Sequence, residues 1–378
     1  MKIKLAVFGC KVNQYEAQVL RENLLGAGHQ LVDGLHEADR VIVNTCVVTG
    51  RAESEGLRLA RRAAAAGKDV VVTGCFSRTN SGGCEAGENC SSFPRIAGQA
   101  SPPRRVSGNP DLISLPPGGG GEVGGIQSLC FDSLLSQFSS PRNSITYFAG
   151  HSRAFLKVED GCDRKCAYCI VSRIRGPIKS RPIGGVLTEV QALVKNNYRD
   201  IVLSGINLGC YGQEINTNLV ELIKAIVFLP DLPKNFRVRL SSLEPDLLNR
   251  ELLDLMSSGK QIFPHLHLPL QSGSDCILAA MGRRYTSAEY FALVSQARKQ
   301  IPGLVLSTDL MVGFPGETEA DFQQTANLAQ KIAFDRTHIF RFSPRPGTPA
   351  ADFPDQVPEK IKRDRSRRLK ETCANKNV

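Results

Sequence analysis

Apolar and polar residues fall in alternating blocks along this chain. Short β-rich apolar runs lie at residues 5–8, 41–43 and 70–72, and helical spacing holds between them at 16–25 and 53–66. Short strands alternating with helices predict a parallel, doubly wound α/β sheet over residues 1–80. Residues 81–150 break the pattern. Gly, Ser and Pro dominate there, and 116–125 is nearly all Gly and Pro, so an irregular linker or insertion is expected.

The alternation returns at Arg153. Six apolar runs, 155–158, 201–203, 237–240, 265–270, 304–312 and 338–342, are separated by helical patterns at 185–197, 218–228, 246–256, 287–299 and 320–331. Six β/α units over 151–358 predict an open or partial (β/α)6 barrel. Reactive groups in such barrels gather at the strand C-termini, and polar runs do follow the strands at 204–207, 241–244 and 271–274. The basic tail, 359–378, opens with a helical pattern at 359–370, read equally as a solvated surface or an RNA contact.

Composition narrows the function. At 42% apolar the chain of 378 residues can build real cores. Lys and Arg number 47 against 37 Asp and Glu, a formal charge of +10. That excess favours a polyanion such as nucleic acid, although a merely basic protein has the same balance. No apolar run approaches the roughly 18 residues of a membrane span, and the run before Cys10 is too short for a signal segment. A cytoplasmic protein with no membrane partner is expected. Twelve cysteines in a reducing compartment then point to metal or redox chemistry.

Two cysteine sets stand out. Cys162-Asp163-Arg164-Lys165-Cys166-Ala167-Tyr168-Cys169 follows the first barrel strand. Its CxxxCxxC spacing puts three thiolates within reach of one cluster. A [4Fe–4S] cubane normally takes four, so three leave an iron open to a substrate's amine and carboxylate, and Tyr168 is placed to pack on an adenine. This spacing resembles the radical S-adenosylmethionine (SAM) superfamily. A structural zinc site is the rival reading, but the loop offers no evident fourth ligand. The second set is Cys10, Cys46 and Cys75, each directly after an N-terminal strand. All strand C-termini of a parallel sheet share one edge, so these three converge there, with Gly9 and Gly74 allowing close backbone approach. Three buried free thiols is the plainer reading; the same offset on three strands favours metal. Cys84, Cys90, Cys130, Cys210, Cys276 and Cys373 show no comparable geometry and receive no role.

Longer motifs carry a more specific resemblance. Phe8-Gly9-Cys10-Lys11-Val12-Asn13-Gln14-Tyr15-Glu16, Asn44-Thr45-Cys46-Val47-Val48-Thr49, Leu203-Ser204-Gly205-Ile206-Asn207-Leu208-Gly209, His267-Leu268-Pro269-Leu270-Gln271-Ser272-Gly273-Ser274, Val312-Gly313-Phe314-Pro315-Gly316-Glu317-Thr318 and Arg345-Pro346-Gly347-Thr348-Pro349 together resemble the radical SAM methylthiotransferases. The first is most similar to the MtaB-type branch, which acts on N(6)-threonylcarbamoyladenosine in transfer RNA. The match covers residues 1–80 and 150–370.

The resemblance implies two [4Fe–4S] clusters and SAM as cofactors. Cys162, Cys166 and Cys169 would hold the cluster that cleaves SAM; Cys10, Cys46 and Cys75 would hold an auxiliary cluster that carries sulfur. Together they imply methylthiolation at carbon 2 of the modified adenosine at position 37, in the anticodon loop, with a donor such as flavodoxin or ferredoxin supplying electrons. By position, Ser204, Gly205 and Asn207 would meet the methionine end of SAM, Gln271 and Ser272 its ribose, and Gly313 and Gly316 its adenine, with loop structure as the competing reading of each. Arg173, Arg175, Lys179 and Arg181 would contact RNA phosphates, or form a solvated charge run. The family usually continues into a small RNA-binding β-barrel, the TRAM domain; the expectation here is a chain with no TRAM domain. Methylthiolation of a ribosomal-protein aspartate and a non-enzymatic two-cluster electron carrier are the competing functions.

Overall fold

The computed structural model describes residues 1–48, 50–80, 126–259 and 261–374. Cys84 and Cys90 lie outside the described residues, as does most of the segment expected to be irregular. The chain divides into two compact units, residues 1–142 and 143–378.

The first unit is a five-stranded parallel sheet. Its elements are β1 (Lys2–Phe8), α1 (Lys11–Gly26), β2 (Gln30–Leu31), β3 (Arg40–Thr45), α2 (Gly50–Ala65), β4 (Asp69–Gly74), α3 (Cys75–Asn80), β5 (Ile126–Ser128) and α4 (Phe131–Leu135). The sheet order is β2-β1-β3-β4-β5, every pair parallel. This is a doubly wound order whose connection reverses between β1 and β3, and such reversals open a crevice outside the strand C-termini. The strands expected at 5–8, 41–43 and 70–72 are the three central ones. Their Val and Ile side chains at 41–43 and 70–72 are buried to 1% exposure or less, as both-face covering by helices requires.

Residues 126–135 correct the expectation of irregularity across 81–150. Ile126–Ser128 pairs with Val70–Val72 as the edge strand, and α4 buries Phe131, Leu134 and Leu135. Three residues of strand beside a Gly/Pro-rich stretch carry too little periodicity to be seen in sequence.

The second unit holds β6 (Arg153–Lys157), β7 (Glu159–Asp160), α5 (Val171–Arg175), β8 (Lys179–Ser180), α6 (Ile183–Lys195), β9 (Asp200–Ser204), α7 (Leu219–Val227), β10 (Arg237–Leu240), α8 (Arg250–Ser257), β11 (His265–His267), α9 (Asp275–Ala280), α10 (Ser287–Gln300), β12 (Val305–Val312), α11 (Glu319–Ile332), β13 (Arg336–Arg341) and α12 (Glu359–Ala374). Strands β6, β9 and β10 form one parallel sheet, and β11, β12 and β13 another. Parallel bridges Val238↔Ile262 and Ser242↔His267 join them into six strands in chain order, the expected partial barrel. The fourth strand is shorter than the run 265–270, ending before Pro269, which has no N–H for a ladder. Thr286 and Thr318 start α10 and α11 with capping boxes.

The basic tail helix is neither a solvated surface nor a free RNA contact along its inner face. Lys362, Arg365, Ser366 and Leu369 of α12 are buried. Arg365 ion-pairs with fully buried Glu317 at 2.7 Å, and Lys362 donates to the Phe342 carbonyl at 3.0 Å. No helix among the described residues is long and apolar enough to cross a membrane.

Candidate active site

In the N-terminal unit, strand register sets the cysteines. Phe8 pairs with Thr45, and Thr45 with Gly74, at the C-terminal ends of β1, β3 and β4. Cys46 and Cys75 follow that row by one residue and Cys10 by two, and the Cys46 amide donates to the Phe8 carbonyl at 2.8 Å. Cys10, exposed, is the N-cap residue of α1 and has extended backbone. Cys46 and Cys75 are buried. The Cys46 thiol is held far above its ordinary range, first by its hydrogen bond with Cys75, then by burial and by the charges of Cys75 and Cys10. Cys75 and Cys10 thus both act on the Cys46 sulfur, and the trio is a donor set for a bound metal cluster.

A buried amide pair braces them. Asn13 Nδ2 donates to Asn44 Oδ1 at 2.8 Å, Asn44 Nδ2 donates to the Asn13 carbonyl at 3.2 Å, and the Cys10 thiol donates to Asn13 Oδ1 at 3.3 Å. Both amides are 0% exposed. Gly74, just before Cys75, has φ +87° and packs so tightly on this pair that any Cβ would collide with both amides. One polar clasp thus links all three cysteine-bearing turns.

In the barrel unit, Cys162, Cys166 and Cys169 lie on the loop between β7 and α5. Gly161 has φ +91°, and a Cβ there would strike the Pro177 carbonyl, so the loop turns only through glycine. The Cys162 amide donates to the Gly176 carbonyl at 3.0 Å, Cys169 to Cys166 at 3.0 Å, and Ala167 to Met281 at 3.0 Å. Burial pushes the Cys162 thiol up to about 11, and Cys166 and Asp163 add to the shift. Burial, with the charges of Cys166 and Cys162, pushes Cys169 up to about 12. The three sulfurs share one loop, suited to a cluster with one corner left over. Cys210 lies near them, but its sulfur accepts from Asn207 Nδ2 at 3.1 Å.

Arg283 was not anticipated. Its guanidinium is 2% exposed, with Nη1 3.6 Å from Cys166 Sγ and 3.4 Å from the Tyr168 hydroxyl, while Nη2 ion-pairs with Glu244. Nε donates to Tyr285 at 3.0 Å. A buried charge this near a thiol is a sequence-distant contact that no local spacing announces. Tyr168 packs against the buried cluster of Ala167, Ile277, Met281, Phe314, Phe342 and Ala350, as does Met311.

The residues expected to meet SAM separate into two groups. Asn207 is 3% exposed; its amide donates to Glu159 Oε2 at 2.7 Å, while Asn207 Oδ1 and Glu159 Oε1 are buried with no hydrogen-bond partner among the described residues. Gly205 lies against Glu159, where a Cβ would collide with the carboxylate. Burial pushes Glu159 up to about 8 against the pull of the Asn207 and Ile206 amides. Two buried oxygens without a donor suit a hydrogen-bond donor such as an ammonium. Ser204 and Ser272 commit their hydroxyls to the framework, and Gln271 commits its backbone. Ser204 Oγ donates to the Leu156 carbonyl at 3.2 Å, Ser272 Oγ meets Thr325 Oγ1 at 3.2 Å, and Gln271 (φ +67°) bridges to β12 through its backbone. The space Gly313 clears is filled by the Lys362 side chain, whereas Gly316 faces open space.

The basic run also separates. Arg175 is buried and pairs with Asp160 at 3.0 Å, and Arg181 pairs with Glu189 at 2.5 Å. Both are engaged in ion pairs within the barrel unit. Lys179 is exposed, and Arg173, also exposed, donates to the Gly347 carbonyl.

Comparison with known proteins supplies context. The Radical SAM superfamily model matches residues 156–329, and the uncharacterized protein family UPF0004 matches residues 2–90. The threonylcarbamoyladenosine tRNA methylthiotransferase MtaB of Thermotoga maritima is 36% identical over 100% of this chain and 82% of its own length. The tRNA-2-methylthio-N(6)-dimethylallyladenosine synthase of Wolbachia pipientis is 32% identical over 99% of this chain and 84% of its own. Among solved structures, the radical SAM methyltransferase TsrM of Kitasatospora setae superposes with a TM-score of 0.59 at 17% identity, over 93% of this chain and 77% of that one. That likeness concerns the fold alone.

Proposed function

The chain belongs to the radical SAM methylthiotransferase family, in its MtaB-type branch, and on that premise we propose that it methylthiolates carbon 2 of N(6)-threonylcarbamoyladenosine at position 37 of transfer RNA. The observation that carries this reading is the pair of thiol trios, one in each unit, in a chain aligned over its whole length with a relative named for that reaction. Cys162, Cys166 and Cys169 hold the cluster that binds SAM, and Cys10, Cys46 and Cys75 hold the auxiliary cluster. When bound, these groups supply the radical that activates the adenine C–H and the sulfur that replaces its hydrogen.

The chain's own residues bind and orient. Asn207 Oδ1 and Glu159 Oε1 accept from the ammonium of SAM, which gives both orphaned oxygens a donor. Tyr168 packs along the adenine, and Gly316 leaves room beside it. Arg283 steadies the thiolate of Cys166. Lys179 and the other exposed cations meet RNA phosphates, so transfer RNA binding weakens as salt rises. A reduced flavodoxin or ferredoxin in the cytoplasm supplies the electron.

Relatives named for the dimethylallyl substrate are nearly as similar, so the test is nucleoside mass spectrometry. Transfer RNA from a strain lacking its own methylthiotransferases is treated with reconstituted protein, SAM and a reductant. The 2-methylthio form of the threonylcarbamoyl nucleoside is expected. Product only on the dimethylallyl nucleoside overturns the substrate assignment.

A further inference from the structure

His267, Asp309 and His338 stand side by side on β11, β12 and β13, with one ligand atom from each within 4.8 Å of the others. From this juxtaposition we propose a mononuclear site for a divalent transition-metal ion, zinc or ferrous iron, separate from both cysteine trios.

Strand pairing builds the constellation. Asp309 is the direct register partner of His338 on the adjacent parallel strand, and His267 pairs with Ser307, one pleat before Asp309. On β12, Leu306, Thr308, Leu310 and Val312 are fully buried, while Asp309 and Met311 on the opposite face are only partly so. Asp309 thus shares a face with Met311, which packs against the buried cluster that includes Ala167 of the cysteine loop. Two residues of strand, about 7 Å, separate the acid from that contact. The site therefore lies on the wall that leads to the cysteine loop.

Hydrogen bonding admits His267 as a ligand. Its Nδ1 lies 2.9 Å from Ser307 Oγ, and the same hydroxyl lies 3.0 Å from His265 Nε2. A hydroxyl has one proton. When His267 Nδ1–H donates to Ser307, the serine donates onward to His265, and both contacts are satisfied. That tautomer frees His267 Nε2, which lies 3.2 Å from Asp309 Oδ1 and 12% exposed at its side chain. A metal-bound imidazole commonly donates its other N–H to such an oxygen, which fixes the ring and raises its basicity. The His338 ring, exposed on the edge strand, lies 5.8 Å from that of His267 by centroid.

Two imidazoles and one carboxylate are the donors that zinc and ferrous iron prefer, and three protein ligands leave positions for oxygen donors such as water or a carboxylate. Neither cysteine trio contributes, and none of the three residues enters the function proposed above.

The test uses the full chain, reconstituted anaerobically with iron and sulfide, exposed to zinc chloride, desalted, and analysed by plasma mass spectrometry. Roughly one zinc per chain is expected beyond the cluster iron, and it is lost in Asp309→Asn and in His338→Gln with iron and sulfide unchanged. His338→Gln keeps the comparison sound, because an exposed edge residue is replaced without disturbing the core. In a second arm, 57Fe replaces zinc, and a high-spin ferrous Mössbauer doublet absent from both variants identifies iron as the ion. Zinc retained equally by wild type and variants, or by neither, with no such doublet, overturns the site. The readout is metal content, so the result stands apart from whichever nucleoside is modified.

Discussion

Arg283 lays a buried guanidinium against Cys166, its Nη1 3.6 Å from the sulfur, although 117 positions separate the two residues. Hydrogen bonds to cluster sulfurs stabilise the more negative, reduced state. Replacing Arg283 by Gln removes the positive charge and leaves Glu244 without its ion-pair partner. The cluster held by Cys166 should then shift to a lower potential by tens of millivolts, with Arg283→Lys in between. A redox titration followed by electron paramagnetic resonance reads this, and an unchanged midpoint would reduce Arg283 to packing.

Asn13 and Asn44 make a second prediction. Because one amide pair links all three N-terminal cysteine turns, Asn13→Ala should loosen every ligand of the auxiliary cluster. Iron should fall toward half of the wild-type content, while cleavage of SAM by the barrel cluster persists. Iron assay and 5′-deoxyadenosine formation measure the two effects separately. Full iron retention would show that the clasp does not matter for holding metal.

The tail helix supplies a third. Arg365 and Glu317 form a buried pair with side-chain exposures of 6% and 0%, and Glu317 Oε2 also accepts from the Gly313 amide at 2.6 Å. Removing one partner of such a pair strands the other charge, at a cost of about 3–5 kcal/mol. Arg365→Ala should lower the melting temperature of the barrel by several degrees, measured by calorimetry. A shift within error would mean that α12 docks through Lys362 and Leu369 alone.

Glu159 gives a pH dependence. Its folded-state value, pushed up to about 8 by burial, stands above the ordinary carboxylate value of 4.5. Below 4.5 both folded and unfolded chains hold the proton. Between 4.5 and 8 the unfolded chain ionises first, so this residue's contribution to stability declines as pH rises. Glu159→Gln should therefore melt higher than wild type at pH 8 in SAM-free protein and nearly equal to it at pH 5. Parallel melting curves at both values would contradict a raised Glu159.

The strands that carry cysteines were legible because each is an apolar run ending at a polar turn, and period alone identifies such runs. The six barrel strands and five of the barrel helices followed from the same signal. What stayed hidden depends on contacts distant in sequence. Arg283 reaches Cys166 through the fold, and β5 is only three residues long. The ion pairs of Arg175, Arg181 and Arg365 invert their reading as surface cations, because each finds a carboxylate from another element: Asp160, Glu189 and Glu317. The room beside Gly313, expected to admit a ligand, belongs to Lys362 of α12.

Two independent clusters are the core of the account, and iron and sulfide quantitation tests them most directly. A chain with Cys162, Cys166 and Cys169 all replaced by Ala should retain about four irons, as should one with Cys10, Cys46 and Cys75 replaced, against about eight in wild type. Iron abolished by the first set of substitutions alone, with the second set leaving the wild-type amount, would contradict an auxiliary cluster.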